Sequence, residues 1–163
     1  MITASRDPRQ ETVLDLLGDA RRKDLFAVGR LDKDTTGLLL LTNDGAFDHH
    51  LMSPKHHVEK EYYALVRGEV TGEDAALFAA GLKVDEELTA APAHLEILSS
   101  GACSEVLLTI HEGKFHQVKR MFAAVGKEVT ELRRIRIGAL RLDPALPEGG
   151  FRALTEAELD SLQ

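Results

Sequence analysis

Residues 29–45, GRLDKDTTGLLLLTNDG, present one aspartate, Asp32, on a polar loop bounded by glycines, a few residues ahead of four consecutive leucines. A carboxylate at the mouth of an apolar core can attack a carbon centre or take up a proton, provided that a nearby cation offsets the cost of keeping it ionised away from water. Gly29 and Gly37 permit close backbone approach and unusual torsions. The run 38–41 predicts a buried strand, and Thr42-Asn43-Asp44-Gly45 a turn that ends it. On periodicity alone, the same stretch is equally an ordinary aspartate-rich turn entering a core strand.

Other groups invite chemistry. His49-His50 and His56-His57 suggest zinc, yet no ordered cysteine or carboxylate set completes a closed site. Asp34, Asp44 and Asp48 offer, with Asp32, an acidic cluster of the kind a metal-dependent phosphoesterase uses, although their spacing fits turns and a helix start better. No metal site is expected. Between Lys114 and Arg141 lie eight basic and two acidic residues, so this segment carries +6 while the whole chain is at −7. Such a segment suits a polyanion held in one cleft. It equally suits a solvated charged face.

These groups need a scaffold, and the sequence predicts one α+β domain over residues 1–163. Val13, Leu14, Leu16 and Leu17 form an apolar stripe ended by Gly18, and 46–52 reads as a short helix. Strands are expected at 61–67, 93–98, 104–110, 129–137 and 139–142, and helices at 71–82, 116–125 and after the Thr155/Glu158 capping box. The single cysteine, Cys103, is expected as a buried, inert thiol in a reducing cytoplasm. The longest apolar run, 75–80, is far shorter than the roughly 20 residues a bilayer helix needs, so no membrane partner is expected.

Four ordered segments carry a resemblance: GRLDKDTTGLLLLTNDG (29–45), EKEYYALV (59–66), EGKFHQVKRMFAAVG (112–126) and LRRIRIG (132–138). Together they are similar to the ribosomal small-subunit group of pseudouridine synthases, and the similarity runs from about residue 12 to 159. The resemblance implies a mixed, mainly antiparallel sheet with flanking helices and a central cleft. It also implies a cofactor-free isomerisation of uridine to pseudouridine in small-subunit ribosomal RNA, free or in a pre-ribosomal particle. A large-subunit enzyme of the same family and a non-catalytic RNA-binding module are the alternatives.

By resemblance, Asp32 is the reacting carboxylate, Lys119 its cation where many synthases carry arginine, and Tyr62 the ring against the target base, with Tyr63 on the opposite strand face. Whether Asp32 adds to the ribose, adds to the base, or removes a sugar proton stays open. Tyr62 is equally a core packer. Arg30 is expected to hold a flipped-out uridine or to touch phosphate. His116, Gln117 and Arg120 belong to the substrate-binding motif, and Leu132 closes the apolar side of the pocket. Arg134 and Arg136, expected on one strand face, would meet the RNA backbone.

Members of the group begin the catalytic domain with a strand carrying Lys-Pro, preceded by a small RNA-binding module. This chain begins at Met1-Ile2-Thr3-Ala4 and is expected to lack both. A monomer is expected, with self-association possible through the sheet edge so exposed.

Overall fold

The computed structural model describes residues 12–20 and 22–163. A 3-10 segment, Val13–Ala20, carries the first apolar stripe and is kinked at Gly18. There follow strands β1 (Phe26–Ala27), β2 (Thr36–Gly37) and β3 (Leu41–Thr42), helix α1 (Gly45–Met52), strand β4 (Lys60–Arg67), and helix α2 (Gly72–Ala80). Strands β5 (Leu82–Lys83), β6 (Thr89–Ala90), β7 (His94–Ser99) and β8 (Cys103–Ile110) lead to helix α3 (Gln117–Ala124). Strands β9 (Glu128–Ile137) and β10 (Leu140–Arg141) and helix α4 (Glu156–Leu162), with a short 3-10 turn (Pro54–His56) between α1 and β4, complete the described elements.

The main sheet runs β10-β9-β4-β8-β7, all antiparallel, and β2 adds to β9 in parallel. The expected mixed, mainly antiparallel α+β fold is therefore present. Alternation along β4 and β8 turns Tyr62, Ala64, Val66, Val106, Leu108 and Ile110 toward a core shared with Phe78 of α2 and Val118, Met121 and Phe122 of α3. Phe78 and Phe122 meet edge to face, with centroids 5.1 Å apart. A second cluster, built on Val28, Leu40, Leu51, Ile137, Leu140 and Leu162, joins the β1–β3 region to α4.

A buried ion pair ties α2 to the turn before β9. Asp74 Oδ2 lies 2.9 Å from Lys127 Nζ and also accepts the Thr71 amide at the helix start. Asp74→Ala removes both interactions and leaves the partly buried Lys127 with only the Val125 carbonyl, so it should cost about 1–3 kcal/mol, read from urea unfolding.

Several expectations change. The leucine run 38–41 is not one strand: 38–40 is irregular and crosses from β2, on the main sheet, to β3, which pairs with β1. Leu38 and Leu40, alternate residues of the crossing, both pack into the second cluster. The helix expected over 71–82 stops at Ala80, where Gly81 at φ 88° turns the chain into β5. Cys103 is exposed, because it opens β8 at the sheet end, beyond the core. Residues 1–4, on which the expectation of a missing first strand rests, lie outside the described residues.

Arg134 and Arg136 lie on opposite faces. Tyr62 pairs with Arg134 but its neighbour Glu61 pairs with Arg136, so Ile135 is an extra residue and the alternation breaks.

Candidate active site

The loop bearing Asp32 is an excursion of the β1–β3 hairpin, closed at its base by the Val28 amide donating to the Leu40 carbonyl. Within it the Thr35 amide donates to the Asp32 carbonyl at 2.9 Å, forming a turn that lifts the side chain toward α3. Arg134 clamps the excursion to the sheet. Its backbone carbonyl accepts from the Leu38 amide, and its Nε donates to the Leu38 carbonyl, each at 2.8 Å. Arg134 is buried, so its charge anchors the Asp32 loop and is not available to the RNA backbone.

Opposite this loop, the segment 112–116 delivers the start of α3. Glu112 accepts from the Ala91 amide and from Gln117 Nε2, both at 2.7 Å, and Gln117 Oε1 accepts from the Lys114 amide. Gln117 is thus buried and braces the loop as well as lining the cleft. His116, at the helix cap, is left-handed (φ 49°, ψ 34°), a conformation that a non-glycine residue adopts only when its surroundings impose it. The turn brings His116 Nε2 to 3.6 Å from Asp32 Oδ1, while Lys119 Nζ lies 3.7 Å from Oδ2. The carboxylate therefore has one basic group facing each oxygen.

Lys119 is shared. Its Nζ is only 2.7 Å from Asp34 Oδ1, and this hydrogen bond holds the Asp34 carboxyl below the usual carboxylate range. A cation already stands between Asp32 and Asp34, where a phosphoesterase metal would have to sit. Asp44 caps α1 instead, accepting the Ala46 and Phe47 amides, and among the described residues no group of three or more histidines, cysteines and carboxylates is arranged to hold a metal ion.

The cleft, about 60 Å³, is floored and walled by Tyr62, Ile110, Val118 and Leu132, with Arg30 exposed on its rim and Thr35 and Lys114 beside it. Tyr62 is nearly buried, its ring both a cleft wall and a member of the core. Tyr63 faces the other way, donating to Glu105 at 2.7 Å beneath the Arg133 guanidinium. A larger hollow of about 310 Å³, lined by His50, His57, Glu59, Arg136 and Leu162, includes none of Asp32, Tyr62 or Lys119. Size favours that hollow, but the converging charges are in the smaller cleft.

The basic segment does not form one free face. Arg120 pairs with Asp85 at 2.6 Å, a contact that lowers the Asp85 pKa, and Arg136 pairs with Glu59 at 3.0 Å. Lys127 and Arg141 also have acidic partners. Arg120 and Arg136 are thus each tied to a carboxylate in this arrangement, and a contact with substrate would have to be made from within those pairs. Sequence reasoning gave no role to Lys60 or Phe115. Lys60 is buried on the strand face of Tyr62, and that burial, followed by repulsion from Arg134, lowers its pKa. A lysine two residues before Tyr62, in strand alternation, was the available signal.

Lys119→Ala should leave the fold intact and reduce turnover by about 10²-fold, as loss of one preorganised charge at a reacting centre does. Lys119→Arg should retain most activity. Steady-state kinetics on RNA, with thermal unfolding alongside, would show it.

This constellation occurs on a chain with evident relatives. The sequence profile described as RNA pseudouridylate synthase matches residues 2–124. Ribosomal small subunit pseudouridine synthase A of Salmonella typhimurium is 47% identical over 163 residues, covering 99% of this chain and 69% of the relative. An uncharacterised RNA pseudouridine synthase of Bacillus subtilis is 46% identical over 164 residues, with the same coverage of 99% and 69%. A crystal structure of a pseudouridylate synthase, 41% identical, superposes with a TM-score of 0.92 over 99% of this chain and 69% of that one. With the profile covering most of the sequence and the fold shared, the chain belongs to the RNA pseudouridylate synthase family, enzymes that isomerise uridine in RNA.

Proposed function

We propose that this chain converts a uridine of small-subunit ribosomal RNA to pseudouridine in the cytoplasm, with Asp32 as the reacting carboxylate. The observation that carries the proposal is the placement of Asp32 between His116 and Lys119 in a cleft whose apolar wall is Tyr62, Ile110, Val118 and Leu132. In the reaction the C1′–N1 bond breaks, the uracil turns, and a C1′–C5 bond forms. The proton on C5 is lost and N1 gains one, so no oxidant, reductant or metal is needed to balance the change.

Each part of the cleft has a task. Lys119 and His116 stabilise the ionised carboxylate in a partly desolvated position. Tyr62 and Leu132 offer flat and apolar surface to the uracil, which must leave its helix to reach Asp32. Arg30, exposed on the rim, is placed to occupy the space the uridine leaves or to bind an adjacent phosphate. The choice of the small subunit rests on the printed names of relatives such as the Salmonella enzyme.

Incubation with separate small- and large-subunit RNA transcripts, followed by carbodiimide-dependent reverse-transcription stops, tests the proposal. A new stop is expected in the small-subunit transcript. Stops confined to the large-subunit transcript would overturn the subunit assignment.

A further inference from the structure

Among the described residues, Phe115 is the most exposed of the large apolar side chains, at 74% of its full accessibility. A phenylalanine left in water forgoes the burial its ring would gain in a core, so a ring placed outward beside the cleft invites a role. It is held: the Phe115 carbonyl accepts from Arg120 Nη1 at 2.9 Å, and that guanidinium is fixed in turn by Asp85. The next residue is the left-handed His116, and the two rings lie stacked, with centroids 3.7 Å apart and planes 20° apart. His116 faces Asp32 with its Nε2. The imidazole therefore touches Asp32 through Nε2 and Phe115 through its face, and the Phe115 ring is largely open to solvent.

We infer that Phe115, braced on His116, is a stacking platform for the nucleobase adjacent to the uridine that enters the Asp32 cleft. The inference rests on the function proposed above for that cleft. When a uridine leaves its stack, its neighbour loses a stacking partner, and an aromatic ring at the rim replaces it without regard to base identity. Lys114, which lines the cleft and directly precedes Phe115 in sequence, offers a cation to the intervening phosphate. The platform thus recognises an unstacked base in RNA, and its contribution is to binding more than to chemistry.

The test uses the whole chain and a synthetic stem-loop built around the uridine mapped in the small-subunit transcript, with 2-aminopurine on its 5′ or its 3′ side. Binding should quench the fluorophore on one flank. Phe115→Leu should abolish that quench and raise KM by about 10- to 100-fold. Its kcat at saturation should stay within about threefold, and its melting temperature should be unchanged. Phe115→Trp should restore both quench and KM. Equal KM and quench in Phe115→Leu would overturn the platform, as would a loss confined to kcat, which would make the ring only a prop for His116. If the parent chain forms no pseudouridine in any transcript, the proposed function fails and this inference fails with it. If the parent is active and Phe115→Leu matches it, only the platform is wrong.

Discussion

Gly37→Ala is expected to leave little folded protein. Gly37 sits at φ 108°, a torsion that side chains other than glycine's rarely adopt, and a Cβ there would overlap the Arg134 carbonyl oxygen and lie 2.6 Å from the Arg134 amide nitrogen. Both atoms are sheet backbone and cannot swing aside. Relief would require β2 to separate from β9, breaking the Leu38–Arg134 hydrogen bonds that anchor the Asp32 loop and leaving the Arg134 guanidinium buried without them. Backbone strain together with a stranded buried charge places the loss above about 4 kcal/mol. Urea unfolding and soluble yield provide the measurement. Gly45→Ala, in α1 with nothing within 4 Å of its Cβ position, is the control and should be neutral or slightly stabilising. A Gly37→Ala protein as stable as the parent would mean that β2 does not pack on β9 as described.

The same residues show why parts of the molecule were legible in the sequence and parts were not. Local rules suffice where an element is set by its own period or cap. Strand β4 alternates as its sequence implies, putting Tyr62 and Tyr63 on opposite faces, and the Thr155/Glu158 box makes both of its reciprocal hydrogen bonds. The Asp32 loop was legible because glycines and an apolar run frame it. Period-two counting failed at Arg134 and Arg136 because a single bulge residue, Ile135, carries no sequence mark. The leucine run misled because hydrophobicity reports burial and not strand pairing: Leu38 and Leu40 pack into the second cluster while the chain crosses between two sheets. Charge counting along 114–141 missed partners distant in sequence, since Asp85 is 35 residues from Arg120 and Glu59 is 77 from Arg136. His116 was visible as a candidate, but its left-handed backbone, in a loop braced by Glu112 and Gln117, carries no sequence mark.

The second large effect concerns Asp32 itself. Asp32→Asn keeps the side chain's shape and the backbone carbonyl that accepts from Thr35, and it removes only the charge facing His116 and Lys119. With the side chain a quarter exposed, stability should change by no more than about 0.5 kcal/mol. Affinity for RNA should be unchanged, because Arg30, Lys114 and Phe115, the contacts proposed above for phosphate and base, are left intact. Turnover should fall by about 10⁴-fold or more, as it does when the group that reacts is deleted from an otherwise intact site. Loss of binding in parallel with turnover would make Asp32 a contact residue.

Release of tritium from C5 of uridine measures this most directly, because that hydrogen is lost to water when C1′–C5 replaces it. With protein in excess over small-subunit transcript tritiated at C5, the parent chain should release tritium from its target uridine to completion. Asp32→Asn should bind the same transcript and release none above background. Release at a rate near the parent's would contradict the assignment of Asp32 as the reacting group.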